Sequence, residues 1–207
     1  MTQQMTADAT VNRLEGRLRE LHQDANLVRE RDRLGEIDAS LASLGGRLQA
    51  LRSGGYLYRK NLEERLAALS GRWPDARARA DAAVDAQIAP LQAEVTLAEA
   101  AVRRVLPLRS RPLTSVQPAL SVAEAAVSTA ERRVSAAREA VESHYQSLAG
   151  ELAQIDADAR SCEKTLELLA GATFALEPGE GAVDAVEARW NPGEGEAEGV
   201  LFLTDRR

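Results

Sequence analysis

Apolar and small residues recur at alternating steps of three and four along positions 116–169. This spacing keeps one face of an α-helix apolar and is typical of helices that pack against other helices. It therefore predicts one long helix over about 115–170, with a single stutter where two steps of four follow each other. The positions predicted to be buried, here called the heptad seam, are Val116, Leu120, Ala123, Val127, Ala130, Val134, Ala137, Val141, His144, Leu148, Leu152, Ile155, Ala159, Cys162, Leu166 and Leu169.

The same spacing predicts a helix over about 8–52, although its phase slips once. The first register uses Val11, Leu14, Leu18, Leu21, Ala25 and Val28, and the second uses Leu34, Ile37, Leu41, Leu44, Leu48 and Leu51. Between them, the mixed-charge run at 29–33 is typical of a solvated helix face. A phase slip changes the packing locally without ending a helix, so we expect the helix to continue until the glycine pair at 54–55.

A third helical stretch is predicted over 56–106. Its apolar positions are Leu62, Leu66, Leu69, Val84, Ile88, Leu91, Val95, Ala98, Val102 and Val105. Pro74 and Pro90 lie inside it, and proline removes one backbone donor from a helix. We therefore expect a kink or break near 74 and a kink near 90.

The three stretches are similar in length and joined by short connections, which favours antiparallel neighbours. The predicted fold class is all-α: an elongated antiparallel three-helix, coiled-coil-like bundle over residues 1–171, followed by a short β tail at 172–207. In the tail, strand-like alternation before Trp190 and the run 199–204 flank turn residues at 191–195, which predicts a β-hairpin.

The tail resembles the opening of a GRAM or bacterial PH-like domain. The resemblance rests on Glu177-Pro178-Gly179-Glu180, on Ala188-Arg189-Trp190 and on the nine residues 199–207, which read Gly-Val-Leu-Phe-Leu-Thr-Asp-Arg-Arg. It implies that residues 172–207 begin such a domain, whose further strands and closing helix would follow, and it implies lipid or protein binding for the completed domain.

Composition agrees with packed helices and argues against an enzyme. Aromatic residues make up 3% of the chain and charged residues 28%, as expected where alanine, valine and leucine fill thin seams. Cys162 is the single cysteine, which excludes an intramolecular disulfide and a zinc site built from several cysteines. His22 and His144 share no metal-type motif, and the carboxylates are spaced as helix ion pairs. We therefore expect no catalytic residues, no metal and no cofactor.

The net charge of −6 is unfavourable for general nucleic-acid binding, because neutralising phosphate supplies most non-specific affinity. The Ala-, Arg- and Val-rich bias is typical of a GC-rich bacterial genome. The first residues are polar and lack the apolar core of a secretory signal. These features favour a bacterial cytoplasmic protein, with peripheral attachment to a membrane as an open alternative.

One cluster is a candidate contact site for phosphate or for a partner. Arg103, Arg104, Arg109 and Arg111 surround Leu106-Pro107-Leu108 at the predicted connection between the second and third stretches. Arginine forks match phosphate and carboxylate geometry. The alternative is that these are solvated arginines beside a loop whose leucines cap the end of the bundle.

The expected function is a non-enzymatic scaffold or protein-interaction module. The leucine-rich first stretch offers more apolar surface than one chain is expected to cover, so self-association as a dimer or higher oligomer is predicted, with an unidentified protein partner also allowed. The alternative is a tether that contacts anionic lipid or DNA through the arginine cluster or through a completed PH-like domain.

Overall fold

The computed structural model describes residues 7–174, 176–177, 180–190 and 197–205. These residues are mostly helical and end in an antiparallel two-stranded sheet. The elements, in chain order, are α1 (Asp8–Asp24), α2 (Val28–Ser53), α3 (Asn61–Val105), α4 (Leu113–Glu142), α5 (Gln146–Ala170), β1 (Ala182–Trp190) and β2 (Ala197–Thr204). A 3-10 turn at Leu106–Leu108 follows α3. No helix of the described ranges is both long and apolar enough to cross a membrane.

The chain divides into two compact units, each assembled from separate segments. Unit 1 contains Met1–Gly35 and Asp75–Gln146, and unit 2 contains Glu36–Pro74 and Ser147–Arg207.

Unit 1 joins α1, the first turns of α2, the second half of α3 and α4. Cross-helix ion pairs link Arg17 on α1 to Glu131 on α4, at 2.7 Å, and Arg31 on α2 to Asp85 on α3, at 2.6 Å. Beneath these polar contacts lies an apolar core that includes Val11, Leu14, Leu21, Val84, Leu91, Val95, Val102, Leu120, Val127 and Val134.

Unit 2 joins the remainder of α2, the first half of α3, α5 and the hairpin. Arg47 on α2 pairs with Glu163 on α5 at 2.7 Å, and Arg65 on α3 pairs with Asp158 on α5 at 2.9 Å. Trp73 Nε1 on α3 donates to the Asp38 carboxylate on α2 at 2.6 Å. Its core includes Ile37, Leu44, Leu48, Leu51, Leu62, Leu66, Leu69, Leu152, Ile155 and Cys162.

The predicted burial of the heptad seam is confirmed except at three positions, since Leu166 and Leu169 are half-buried and His144 is exposed. The predicted continuous helix over 115–170 is wrong at the stutter. Helix α4 begins at Leu113 and ends at Glu142, and α5 begins at Gln146. Between them, the turn buries Tyr145 to 6% exposure. A larger apolar ring therefore takes the core position that the pattern assigned to His144.

The predicted continuous helix over 8–52 is also wrong, because α1 ends at Asp24 and α2 begins at Val28. Leu27 adopts a φ of +49° and is fully buried, whereas Val28, assigned to the apolar register, is 54% exposed. The left-handed conformation of Leu27 therefore accommodates the phase slip. As a result, Leu27 enters the core in place of Val28.

The third predicted helix begins later than expected, at Asn61 instead of 56. Residues 54–60 form a loop in which Gly55 adopts a φ of +88°, and Arg52 Nη1 donates to the carbonyls of Tyr56 and Tyr58, each at 2.7 Å. Helix α3 then continues without a break through Pro74 and Pro90. A helix can lose the donor of a proline and remain continuous when tertiary packing holds both sides.

The predicted hairpin is confirmed. Strands β1 and β2 pair antiparallel, with Val186 opposite Leu201 and Ala185 opposite Phe202, and an irregularity lies between Ala182 and Asp184. The predicted turn at 191–195 lies outside the described residues, as do Pro178 and Gly179 of the sequence that resembles the GRAM domain.

Candidate functional site

All four residues of the arginine cluster lie in unit 1, at the end of α3 and in the connection to α4. Two of them are held by carboxylates. Arg103 pairs with Glu99, one helical turn earlier. Arg109 reaches α1, where its guanidinium lies 3.2 Å from both Asp8 and Glu15. These two arginines tie the chain to itself, which reduces the positive field they offer to a ligand.

Arg104 and Arg111 are the other half of the cluster. Both are exposed, and neither has an ion pair within the described ranges. The backbone of Arg111 is fixed, because its carbonyl accepts the N–H of Ala7 at 3.3 Å. The part of the cluster that can meet an external anion is therefore Arg104 and Arg111.

A surface groove of about 460 Å³ lies between α1 and α3 of unit 1. Its lining residues are Glu15, Leu18, Arg19, His22, Glu99, Val102, Arg103 and Leu106. His22 places Nδ1 2.9 Å from the Leu18 carbonyl and Nε2 3.8 Å from Glu99. The groove mixes two arginines with two glutamates, so it offers no concentrated charge of either sign.

Residues that could ligate a metal do not converge in the described part of the chain. No group of three or more His, Cys, Asp or Glu side chains has a suitable arrangement there. Cys162 is a buried free thiol, as its seam position predicts.

A buried ionic cluster in unit 1 was missed by sequence reasoning. Arg138 on α4 lies 2.7 Å from Asp24 at the end of α1 and 2.9 Å from Glu30 in the first turn of α2. Glu30 is only 9% exposed, although the mixed-charge run that contains it was interpreted as a solvated face. Buried Oε2 of Glu30 and Nε and Nη2 of Arg138 have no aligned hydrogen-bond partner. Nothing in the local pattern distinguishes Glu30 from its exposed neighbours, because its burial depends on α4.

A second polar cluster connects the loop 54–60 to β1 and α5 in unit 2. The Tyr56 hydroxyl donates to the Val183 carbonyl at 2.7 Å and also contacts Cys162. Burial, followed by the Cys162 contact, raises the pKa of Tyr56. A hydrogen bond to Asp205 raises the pKa of Tyr58 to about 12. Both tyrosines therefore remain protonated donors over the whole physiological range.

A further groove, of about 550 Å³, lies between α2 and α3 of unit 2. It is lined by Leu41, Ala42, Gly45, Leu48, Gln49, Arg52, Glu63, Leu66, Ala67 and Ser70. Arg52 and Glu63 pair with each other, which lowers the pKa of Glu63 and leaves the lining without net charge. Small residues recur at helical spacing on both walls, and side chains of another helix fit between such residues.

Comparisons with known proteins give no relative. No protein-family model, no curated protein and no solved structure matches this chain.

Proposed function

We propose that this chain is a non-enzymatic scaffold that associates with copies of itself. In this proposal, the three helical stretches form an antiparallel, coiled-coil-like bundle that serves as a stiff platform. The support is that arginine–carboxylate pairs join all three helical stretches within each unit, so these charges are engaged inside the fold. The pairs are Arg17–Glu131, Arg31–Asp85 and Arg133–Glu94 in unit 1, and Arg47–Glu163, Arg52–Glu63 and Arg65–Asp158 in unit 2.

Most leucines of the first stretch are covered within the chain, since Leu34, Leu44, Leu48 and Leu51 are at most 4% exposed. Leu18 and Leu41 are half-buried, and each lines a groove. What carries the proposal is the neutral, apolar groove between α2 and α3 of unit 2, which contains Leu41. An uncharged groove can meet an identical surface without repulsion, and burial of its apolar lining favours association.

Light scattering tests the proposal. The wild-type chain is expected to show a mass above the 22.3 kDa of one chain as its concentration rises. Gly45→Arg places a bulky charge in the groove, and a side chain at Gly45 meets nothing within 4 Å of its first carbon. This variant is expected to remain monomeric.

Gly150→Arg is the matched control, because Gly150 is a helical glycine of unit 2 with equally open space and lies outside the groove lining. It is expected to associate as the wild type does. A wild-type mass of one chain at every concentration would contradict self-association. If the Gly45→Arg variant still associates, the groove between α2 and α3 is not the contact surface.

A second candidate function is a tether that contacts anionic lipid or DNA, with peripheral membrane attachment as one form of it. The exposed Arg104 and Arg111 favour it, and the net charge of −6 weighs against it. A completed PH-like domain beginning at residues 172–207 would be another route to the same contact.

Vesicles rich in phosphatidylserine and duplex DNA, each at two salt concentrations, test this tether. Replacing Arg103, Arg104, Arg109 and Arg111 with serine is expected to abolish salt-sensitive binding. The double variant Arg104→Ser/Arg111→Ser is expected to account for most of that loss, whereas Arg79→Ser, an exposed position on α3, leaves binding intact. If the wild type binds and the fourfold variant binds equally well, the arginine cluster is not the contact.

A further inference from the structure

We propose that the hairpin is a reversibly docked strap: β1 and β2 leave unit 2 together while its helices stay folded, and this opening uncovers Tyr56 and Cys162. The proposal concerns motion inside unit 2 and is independent of the scaffold function.

The hairpin is only partly buried where it docks. Val186, Leu201 and Leu203 occupy one face of the sheet and are 58%, 59% and 62% exposed. On the opposite face, Ala185, Val200 and Phe202 are half-buried, and the Phe202 ring lies edge-on to Phe174 with ring centroids 5.2 Å apart. Among the hairpin residues whose side chains are described, Ala182 alone is buried. Since apolar burial is the main source of docking free energy, the hairpin is held less firmly than the helices beneath it.

Exposed polar contacts also hold the hairpin. Asp184 on β1 lies 3.4 Å from the Thr165 hydroxyl and 3.9 Å from Arg59, and Glu187 lies 2.9 Å from Lys164. The ion pairs Arg59–Asp184 and Lys164–Glu187 are between a third and two thirds exposed, so salt screens them. A contact of this kind changes a docking equilibrium by a factor of about 2 to 10.

Tyr58 fastens the two ends of the hairpin. Its hydroxyl bonds with Asp205, after β2, and its ring lies against Gly181, before β1. A β-carbon at Gly181 would lie 2.9 Å from Tyr58 Cε2, which is closer than real side chains approach. The absence of a side chain at Gly181 is therefore what allows Tyr58 to reach Asp205.

Cys162 is linked to β1 through Tyr56 and reports the opening, because the loss of Val183 frees Tyr56 to move away from the thiol. Tyr56 bridges the Cys162 thiol and the Val183 carbonyl of β1, and Thr165, on the next position of the same face of α5, contacts Asp184. Cys162 is 1% exposed and is the single cysteine of the chain. A thiol reagent can therefore measure the opening without an introduced label.

The experiment measures the rate at which Ellman's reagent modifies Cys162 in the full chain, against urea and salt, beside the rate of global unfolding. If the hairpin opens locally, Cys162 is expected to be modified faster than global unfolding alone would permit. The modification rate is also expected to depend only weakly on urea, because the opening exposes little surface. Tyr58→Phe and Gly181→Ala are each expected to raise the modification rate about 2- to 10-fold.

Arg72→Gln is the matched control, because Arg72 pairs with Glu151 between α3 and α5 of the same unit and does not touch the hairpin. Its modification rate is expected to equal that of the wild type. The proposal is overturned if modification follows global unfolding in rate and in urea dependence. It is equally overturned if Tyr58→Phe and Gly181→Ala leave the rate unchanged or if Arg72→Gln raises it as much.

Discussion

At the scale of single residues, Arg138 is the arginine that faces the buried carboxylate of Glu30. Its guanidinium lies between the carboxylates of Asp24 and Glu30, and Glu30 is almost completely buried. A buried charge is tolerated only while its partner is present, because the low-dielectric interior penalises an unpaired carboxylate.

Arg138→Met is therefore expected to lower the free energy of unfolding by about 1–3 kcal/mol, measured by urea denaturation. Replacing Glu30 as well, with methionine, is expected to recover part of that loss, since the double variant buries no unpaired charge. Arg13→Ala removes an exposed pair with Glu124 and is expected to cost less than about 1 kcal/mol. Equal losses for Arg138→Met and Arg13→Ala would contradict the role given to burial.

At the scale of elements, the interruption between α1 and α2 is imposed by packing. The residues between the helices are Ala25, Asn26 and Leu27, with no glycine or proline among them. Leu27 nevertheless adopts a φ of +49° and is completely buried. A left-handed conformation costs a residue with a β-carbon about 1–2 kcal/mol, so the buried leucine side chain must offset that strain.

This strain predicts an inverted preference between alanine and glycine. Leu27→Ala loses the side chain and keeps the strain, whereas Leu27→Gly loses the same side chain and relieves it. Thermal unfolding is expected to show Leu27→Gly as the more stable variant by about 1 kcal/mol. At Leu14, buried inside α1, the ordinary helical order is expected, with alanine the more stable by about 1 kcal/mol. The same order at both positions would show that Leu27 carries no strain.

At the scale of the whole molecule, stability depends on carboxylates that arginine holds ionised. Arg47 lowers the pKa of Asp156 below its ordinary 3.8, and Arg52 lowers that of Glu63 below its ordinary 4.5. A carboxyl whose pKa is lower in the folded state contributes stability that is present above its ordinary pKa. That contribution is lost as pH falls through the folded value, because the unfolded chain then binds more protons.

The free energy of unfolding is therefore expected to be level from about pH 7 to 5 and to fall below about pH 4.5, as urea titrations at each pH can measure. Arg47→Gln is expected to lower stability at pH 7 and to flatten part of the acid slope, since Asp156 loses the arginine that lowers its pKa most and keeps only Arg160. Arg79→Gln, at an exposed position without an ion pair in the described ranges, serves as the control and should follow the wild-type profile. If Arg47→Gln does not change the slope of unfolding free energy against pH in the acid range, other groups cause the acid sensitivity.

The amino-acid sequence by itself determined the type of each element and most of the core. Regular 3–4 spacing can be satisfied only by a helix with one buried face, and 2-residue alternation beside turn residues only by a strand, so Val116–Val141 and the hairpin were predictable. The tertiary structure decided where helices stop and which charges are buried. Leu27 leaves the helical conformation, Tyr145 replaces His144 in the core, and Glu30 is buried against Arg138. These outcomes depend on contacts between residues more than a hundred positions apart, or on the fit of one side chain, and a local pattern carries no information about either.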